Sequence, residues 1–490
     1  MPAWAGRHPG ALADFAIWRE RWGYLADLRP STHPVAPDDV PDTALAMLNF
    51  DGISYAKGAA ALRQLAVLLG DDVFLAGIRE YFERYRFANA ALADLLAVLG
   101  SVAGKDLAGW SELWLPSSGA NTLRPVVVRG ADGRLETLTV EQAGRPLRPH
   151  RMAVAAYASD GSVLRVPLTI DRGATRVEGF AGSADGTVLL LNDGDETYAK
   201  VRFDAGSRAA LPAVLPDLDD PLARAVIWTA VIDAVRDGEL PPAEFLALVV
   251  AALPGERQEG VFDEVLSFAR DALARRGLVP FAPLAEVCGT ALAGSAPGSG
   301  RQVAIARALV SVAGAGDVGW LAGWRAGHRL PEGLVVDAEL RWALLVRLAA
   351  LGAAGEDDIA AEERRDPGAK GAERAAGCRA ALPTAAAKAR AWHVIVHDER
   401  PRLAMANAAG FWQPGQEELT EPYVERYFAD VPAILAGRYL LAGLQVVRQS
   451  FPQYHPRALK LAEGLLAQAD LDAKLRREIG DAADELRRWV

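Results

Sequence analysis

Cysteine is scarce: Cys288 and Cys378 are the only two in 490 residues. That excludes a disulfide framework and a CxxC metal knuckle, and it suits a reducing compartment. Positive charge is in deficit, with 53 Lys and Arg against 63 Asp and Glu and a net charge of −10. A general nucleic-acid binder needs a basic face to neutralise phosphates, so that class is set aside. No stretch approaches the roughly 18 uncharged apolar residues of a membrane helix. The start, MPAWAGRHPGALADFAIW, lacks the basic region and continuous apolar core of a signal peptide. A cytoplasmic protein with no membrane and no nucleic-acid partner is the expectation. There is also no GxSxG nucleophile elbow and no GxxxxGK[ST] phosphate cradle. GSAPGSGR at 294–301 therefore reads as a loop.

What remains is ordinary for a globular protein: 51% hydrophobic and 24% charged residues, with length for two to four domains. Three textures follow one another. Residues 1–120 look helical. In GAAALRQLAVLLG the positions Leu62, Leu65, Leu68 and Leu69 recur at helical spacing, and Gly70 can stop the helix. DDVFLAGIREYFERYRF is a second helix with Asp71 or Asp72 as N-cap, and NAALADLLAVLGSVAGKDLAGWSELWL supplies two more.

Residues 121–208 change character. Strand pairs are expected around Asp132-Gly133 and Asp160-Gly161, then a strand, a turn at Asn192–Gly194 and a last strand. A small β-sandwich is the expected form. Residues 209–490 return to helices with short breaks. Asp219-Asp220-Pro221 reads as a helix start, after which Leu222, Ala225, Thr229 and Ile232 share one face, with Arg224, Asp233 and Arg236 elsewhere. Stacked helical pairs of HEAT or armadillo type are the expected packing. EDDIAAEERRDPGAKGAERAAG reads as exposed helix and loop. The fold class is thus multidomain and mainly α: a helical first part, a small β-sandwich, and a helical array.

Two further patterns imitate sites. Gly314-Ala315-Gly316-Asp317-Val318-Gly319 fits GxGxxG, with Asp337 downstream, but no strand is expected to feed it, so a glycine turn between helices is the reading. His393 and His397 stand four apart in HVIVHDE, as a metal pair would, yet no Glu follows His393. A partly exposed pair near a helix end is expected. The two cysteines read as buried structural thiols.

The most specific run is NFDGISYAKGAAALRQLAVLLGDDVFLAGIREYF, beginning at Asn49. It resembles the aminopeptidase N family of zinc metallopeptidases (gluzincins), in its bacterial branch. The likeness continues through WGYLADLRPSTHPV, RFANAALADLLAVLGSVAGKDLAGWSELWLPSSGANTLRP, LLLNDGDETYAKVRFD and GLVVDAELRWALLVRLAALG, nearly the whole chain. The resemblance implies that 1–120 is the helical end of a thermolysin-like catalytic domain, 121–208 a β-sandwich domain, and 209–490 the helical C-terminal domain. It also implies that Tyr55 donates a hydrogen bond to the oxyanion formed when zinc-bound water attacks a peptide carbonyl. A phenol stays protonated at neutral pH and is a fixed donor. Lys57 and Gly58 complete the motif and are assigned to helix entry and packing. A Tyr55 hydroxyl satisfied inside a helical core is the competing expectation.

The chain departs from the family at the zinc site. The family's HExxH places two His on one helix face with a Glu base between them. Here the histidines are His8, His33, His150, His328, His393, His397 and His455, and none is followed by Glu. The family's GxMEN stretch, which grips the substrate amine, is absent as well. The expectation is an aminopeptidase-type chain without its metal-binding half: a truncated product, a misassigned start or half of a split enzyme. No zinc would be held by this chain alone, and alone it would be inactive. Its partners would be a peptide substrate and an upstream-encoded catalytic lobe, with an apolar face exposed where that lobe packs. The alternative is a non-enzymatic helical scaffold that binds peptides or proteins.

Overall fold

The computed structural model describes residues 9–37, 47, 49–184 and 186–490; His8 lies outside them. The chain divides into two compact units, Met1–Val265 and Leu266–Val490.

In the first unit, Pro9–Asp14, a π-helical stretch Phe15–Glu20 and Arg21–Asp27 run head to tail. A second π-helical turn, Ile53–Lys57, leads directly into the helix Gly58–Leu69. Asp71–Arg84, Leu92–Ala103 and Ala108–Trp114 follow. Gly70, at φ 86°, ends one helix and caps the next, a backbone conformation glycine adopts without a Cβ penalty. The sequence expectation of Asp71 or Asp72 as the cap is thus corrected: both sit in the first turn, where carboxylates suit the helix dipole. Leu65 and Leu69 enter the core with Tyr24, Trp110 and Trp114. Leu62, placed with them by spacing, is exposed.

Among the described residues, seven strands form two sheets. β1 (Asn121–Arg129), β2 (Leu135–Ala143), β5 (Ala174–Val177) and β7 (Ala199–Val201) make one, in the order β5-β2-β1-β7. β3 (His150–Tyr157), β4 (Val163–Ile170) and β6 (Val188–Asp193) make the other, in the order β4-β3-β6. The turns at Asp132-Gly133 and Asp160-Gly161 close antiparallel pairs β1–β2 and β3–β4. The turn after Asn192 does something else: β6 pairs with β3 while β7 pairs in parallel with β1, so the chain changes sheets there.

Asp220 caps the helix Pro221–Arg236, accepting from Leu222 N and Ala223 N at 2.9 and 3.3 Å. That helix is buried nearly all round, including Arg224 and Asp233, which the one-sided apolar pattern had put elsewhere. Arg224 reaches the buried Glu256 at 2.9 Å and the carbonyls of Leu218 and Asp219. A paired, hydrogen-bonded guanidinium is the form in which a charge survives in a core.

In the second unit, Gly300–Val312, Ala338–Ala350, Ala369–Ala381, Pro401–Phe411, Leu440–Ser450 and Ala473–Arg487 pack in succession, each on the next. Ala385–His397, Glu417–Leu435 and Arg457–Leu466 form a second succession. Trp392, Phe411, Trp412, Tyr427 and Phe451 fill the core of its C-terminal half. The charged segment is less exposed than its composition suggests. Helices Glu356–Arg365 and Ala369–Ala381 bury Ile359, Glu362 and Cys378. Cys288 and Cys378 are both buried thiols outside any disulfide, and burial pushes the Cys378 thiol up to about 12.

Lys388 is fully buried without a carboxylate contact; its ammonium donates to Ala380 O and Phe411 O at 2.7 and 2.8 Å. Burial lowers its pKa to about 7, against about 10.4 in an unfolded chain. Between those pH values the unfolded chain holds one more proton. The cost of burying this charge is thus fully present below pH 7 and disappears as pH rises to about 10.4. Relative to Lys388→Met, the wild type is predicted to gain stability by up to about 1.4 kcal/mol per pH unit across that window. Paired urea titrations from pH 6 to 10 check this; a difference that does not change with pH contradicts it.

Candidate functional site

Tyr55 sits in the turn Ile53–Lys57, and three local features build that turn. Asp51 accepts from Ile53 N at 2.9 Å and Ser54 N at 3.3 Å, capping its start. His33 Nε2 lies 3.1 Å from the same carboxylate, and His33 Nδ1 lies 2.7 Å from Pro34 O. Burial acts to raise the Asp51 pKa, but His33 and the two backbone donors together hold it below the usual carboxylate value. The second feature is a glycine contact. A Cβ on Gly52 would stand 2.4 Å from Trp22 O, and one on Gly23 would stand 3.2 Å from Lys57 N. At Gly52 the backbone contact leaves no room for a side chain, and at Gly23 a Cβ would be tight, so the turn lies close against the helix Arg21–Asp27.

The third feature is the buried pair Lys57–Asp27, at 2.9 Å with side chains 1% and 3% exposed. Lys57 Nζ also donates to Ser117 O and Gly119 O, both at 3.2 Å. Asp27 accepts from Gly119 N and Thr32 Oγ1 at 2.8 Å and from Tyr198 OH at 3.3 Å. Burial lowers the Lys57 pKa, Asp27 offsets part of that, and the nearby Arg148 adds to the lowering. Arg148, itself buried, donates to Leu113 O, Asn121 Oδ1, Ser117 Oγ and Ser118 O. One polar network therefore ties the tyrosine turn to the loop at 115–120 and to the first strand. Lys57, assigned from sequence to helix entry and packing, does its packing as an ion pair.

Tyr55 itself is 52% exposed, so the expectation of a hydroxyl satisfied in a helical core is not met. Its ring stacks on Trp22 at 6.5 Å and meets Phe50 edge-on at 5.5 Å. Among the described residues its hydroxyl makes no hydrogen bond. Trp18, Phe50, Phe82 and Phe87 are exposed on the same helical part of the chain.

The other sequence candidates do not join it. His393 and His397 are exposed on the helix Ala385–His397, with ring centroids 4.8 Å apart. Gly314–Asp317 is a turn between helices, where Gly314 N donates to Asp317 at 2.7 Å, and Gly319 lies in the first turn of the helix Val318–Arg325. Ser299, in the glycine-rich loop, caps Gly300–Val312. His33, Asp51 and Arg148 were not singled out by sequence. The available signals were the two runs similar to the same family, WGYLADLRPSTHPV, which carries His33, and NFDGISYAKG, which carries Asp51.

Comparison with known proteins identifies the fold and the family. The crystal structure of Legionella pneumophila aminopeptidase A in complex with aspartic acid shares the fold, with a TM-score of 0.58 and 15% identity over 90% of this chain and 58% of that one. Residues 188–488 match the ERAP1-like C-terminal domain, and residues 7–118 match the Peptidase family M1 domain. Aminopeptidase N of Streptomyces lividans is 38% identical over 512 residues, covering 98% of this chain and 59% of that protein. Aminopeptidase 2, mitochondrial, of Saccharomyces cerevisiae is 33% identical over 105 residues, 21% of this chain and 10% of its own length. The chain belongs to the aminopeptidase N family, and it spans little more than half the length of the Streptomyces relative.

The family's enzymes use zinc. Among the described residues, no three His, Cys, Asp or Glu side chains converge as an ion would require. The described residues do not fit a zinc centre.

Two substitutions separate scaffold from chemistry. Lys57→Met leaves the Asp27 carboxylate buried and unpaired and is predicted to cost about 3–5 kcal/mol. Tyr55→Phe removes a hydroxyl with no hydrogen-bond partner and is predicted to change stability by less than about 0.5 kcal/mol. Chemical denaturation measures both; a large loss in Tyr55→Phe would make the hydroxyl structural.

Proposed function

We propose that this chain is the tyrosine-bearing part of a metallo-aminopeptidase that removes N-terminal residues from peptides, with Tyr55 as the donor to the oxyanion. The observation that carries the reading is a phenol exposed on a turn fixed from beneath by a buried ion pair. A donor held still before the reaction needs no reorganisation when charge develops, and such a donor is typically worth about 2.7–4 kcal/mol in the barrier. Exposure leaves its hydroxyl open to a substrate carbonyl. The family membership supports the reaction class, and Aminopeptidase N of Streptomyces lividans is a relative of that name.

By itself the chain is proposed to be inactive, because none of its seven histidines is followed by Glu and no metal-ligand set forms among the described residues. In this reading the ligands come from a catalytic lobe that packs on the face carrying Trp18, Phe50 and Tyr55. Three domains, at 1–120, 121–208 and 209–490, with a HEAT-like helical array and a cytoplasmic setting, complete the proposal. No helix among the described residues is long and apolar enough to cross a membrane. The successive packing of helices in the second unit keeps a scaffold reading open: a non-enzymatic binder of peptides, detectable by calorimetry with a peptide mixture.

The test joins the N-terminal part of the Streptomyces lividans relative to residues 1–490 and assays alanyl and leucyl chromogenic amides. Turnover is expected from the joined protein and none from residues 1–490 alone. Tyr55→Phe in the joined protein is expected to lower kcat about 10²–10³-fold with little change in KM. Turnover by residues 1–490 alone, or full activity of the joined Tyr55→Phe protein, contradicts the reading.

A further inference from the structure

The second unit holds a cavity of about 380 Å³ whose polar lining is dominated by arginine: Arg270, Arg275, Arg307 and Arg347. Asp271 is the one carboxylate that lines it. The local balance is strongly positive in a chain whose net charge is −10. Phe281, Val310 and Val346 form apolar wall. The volume lies in the range of small-molecule sites.

The four guanidiniums are unequally satisfied. Arg270 makes a two-pronged pair with Asp271, at 2.8 and 2.6 Å, and donates to Ser311 Oγ at 2.8 Å. Arg307 pairs with Asp337 at 2.7 Å, both partners being partly exposed. Arg275 donates to Trp412 O and lies over the Tyr454 ring, but stands 3.9 Å from Asp271. Its Nε is buried and unpartnered, as is that of Arg307. Arg347 forms no ion pair among the described residues; its Nε donates to Ala313 O at 2.6 Å. Burial and the neighbouring Arg275 charge push the Arg347 pKa down, with Asp317 offsetting only part. Guanidinium remains charged regardless. Arg275 and Arg347 are two half-buried like charges, one 3.9 Å from a carboxylate that Arg270 already pairs with and the other in no ion pair among the described residues, and an incoming anion would relieve their repulsion.

We propose that this cavity is a binding site for a small multivalent oxyanion, a phosphate-bearing or polycarboxylate compound, held between Arg275 and Arg347 with its less polar part against Val310 and Val346. Arginine forks match the geometry of both oxyanion types through paired N–H donors. Neither the peptidase reading nor Tyr55 is needed for this site.

Pyrophosphate and citrate are the probes, titrated into the full chain by calorimetry at constant ionic strength, with sodium chloride as control. Saturable binding near one per chain, with a rise in Tm beyond the chloride control, is expected for at least one of them. Pyrophosphate alone identifies the phosphate class, citrate alone the polycarboxylate class. Arg275→Gln and Arg347→Gln are each expected to weaken binding about tenfold or more, while Arg390→Gln, at an exposed position outside the cavity, leaves it unchanged. Val346→Trp fills the cavity with every arginine intact and is expected to abolish binding. The proposal is overturned if neither anion exceeds the chloride control, or if a folded Val346→Trp or Arg347→Gln chain binds like the wild type.

Discussion

One buried contact holds the first unit's surface in place: the ammonium of Lys57 against the carboxylate of Asp27. Each charge would be costly alone in that core. Together, with the carbonyls of Ser117 and Gly119 and the donors of Gly119, Thr32 and Tyr198, their polar atoms are satisfied. The geometry then leaves little freedom for the residues just before Lys57. Gly23 and Gly52 bring two backbones together, Asp51 caps the turn, and Tyr55 is left on the outer side with its ring between Trp22 and Phe50.

The molecule buries cations in three distinct ways. Lys57 and Arg224 are neutralised by carboxylates as deeply buried as themselves. Lys388 is met only by carbonyl oxygens and accepts a lowered pKa instead. The arginines around the cavity in the second unit are only partly matched, and their partial exposure keeps the repulsion tolerable. The first arrangement fixes structure, the second makes stability depend on pH, and the third leaves room for an anion.

Much of this was legible in the sequence, for reasons that are local. The strand pairs at Asp132-Gly133 and Asp160-Gly161 follow from turn chemistry, and the helix start at Asp220-Pro221 from capping. The run GISYAKG carried the family, and with it Tyr55. What was missed depends on partners far away in the chain. Asp27 and Lys57 are thirty residues apart, and Arg148 joins them from beyond the second strand. No periodicity announces such a pairing. The helical pattern puts Arg224 off the apolar face, but its pairing with the distant Glu256 lets it be buried there. Asp71 and Asp72 were read as caps because their chemistry suits the role, while the positive φ of Gly70 took it. The passage from β6 to β7 between sheets is set by long-range pairing with β3 and β1, which a turn signal does not specify.

The central claim is that the Asp27–Lys57 pair holds the tyrosine turn. Amide hydrogen exchange in the wild type and in Lys57→Met tests it most directly. The account predicts that protection of residues 53–58 falls by at least about tenfold in the variant, while the helices Ala385–His397 and Glu417–Leu435 exchange as before. Unchanged protection of residues 53–58 in a folded Lys57→Met chain would contradict it.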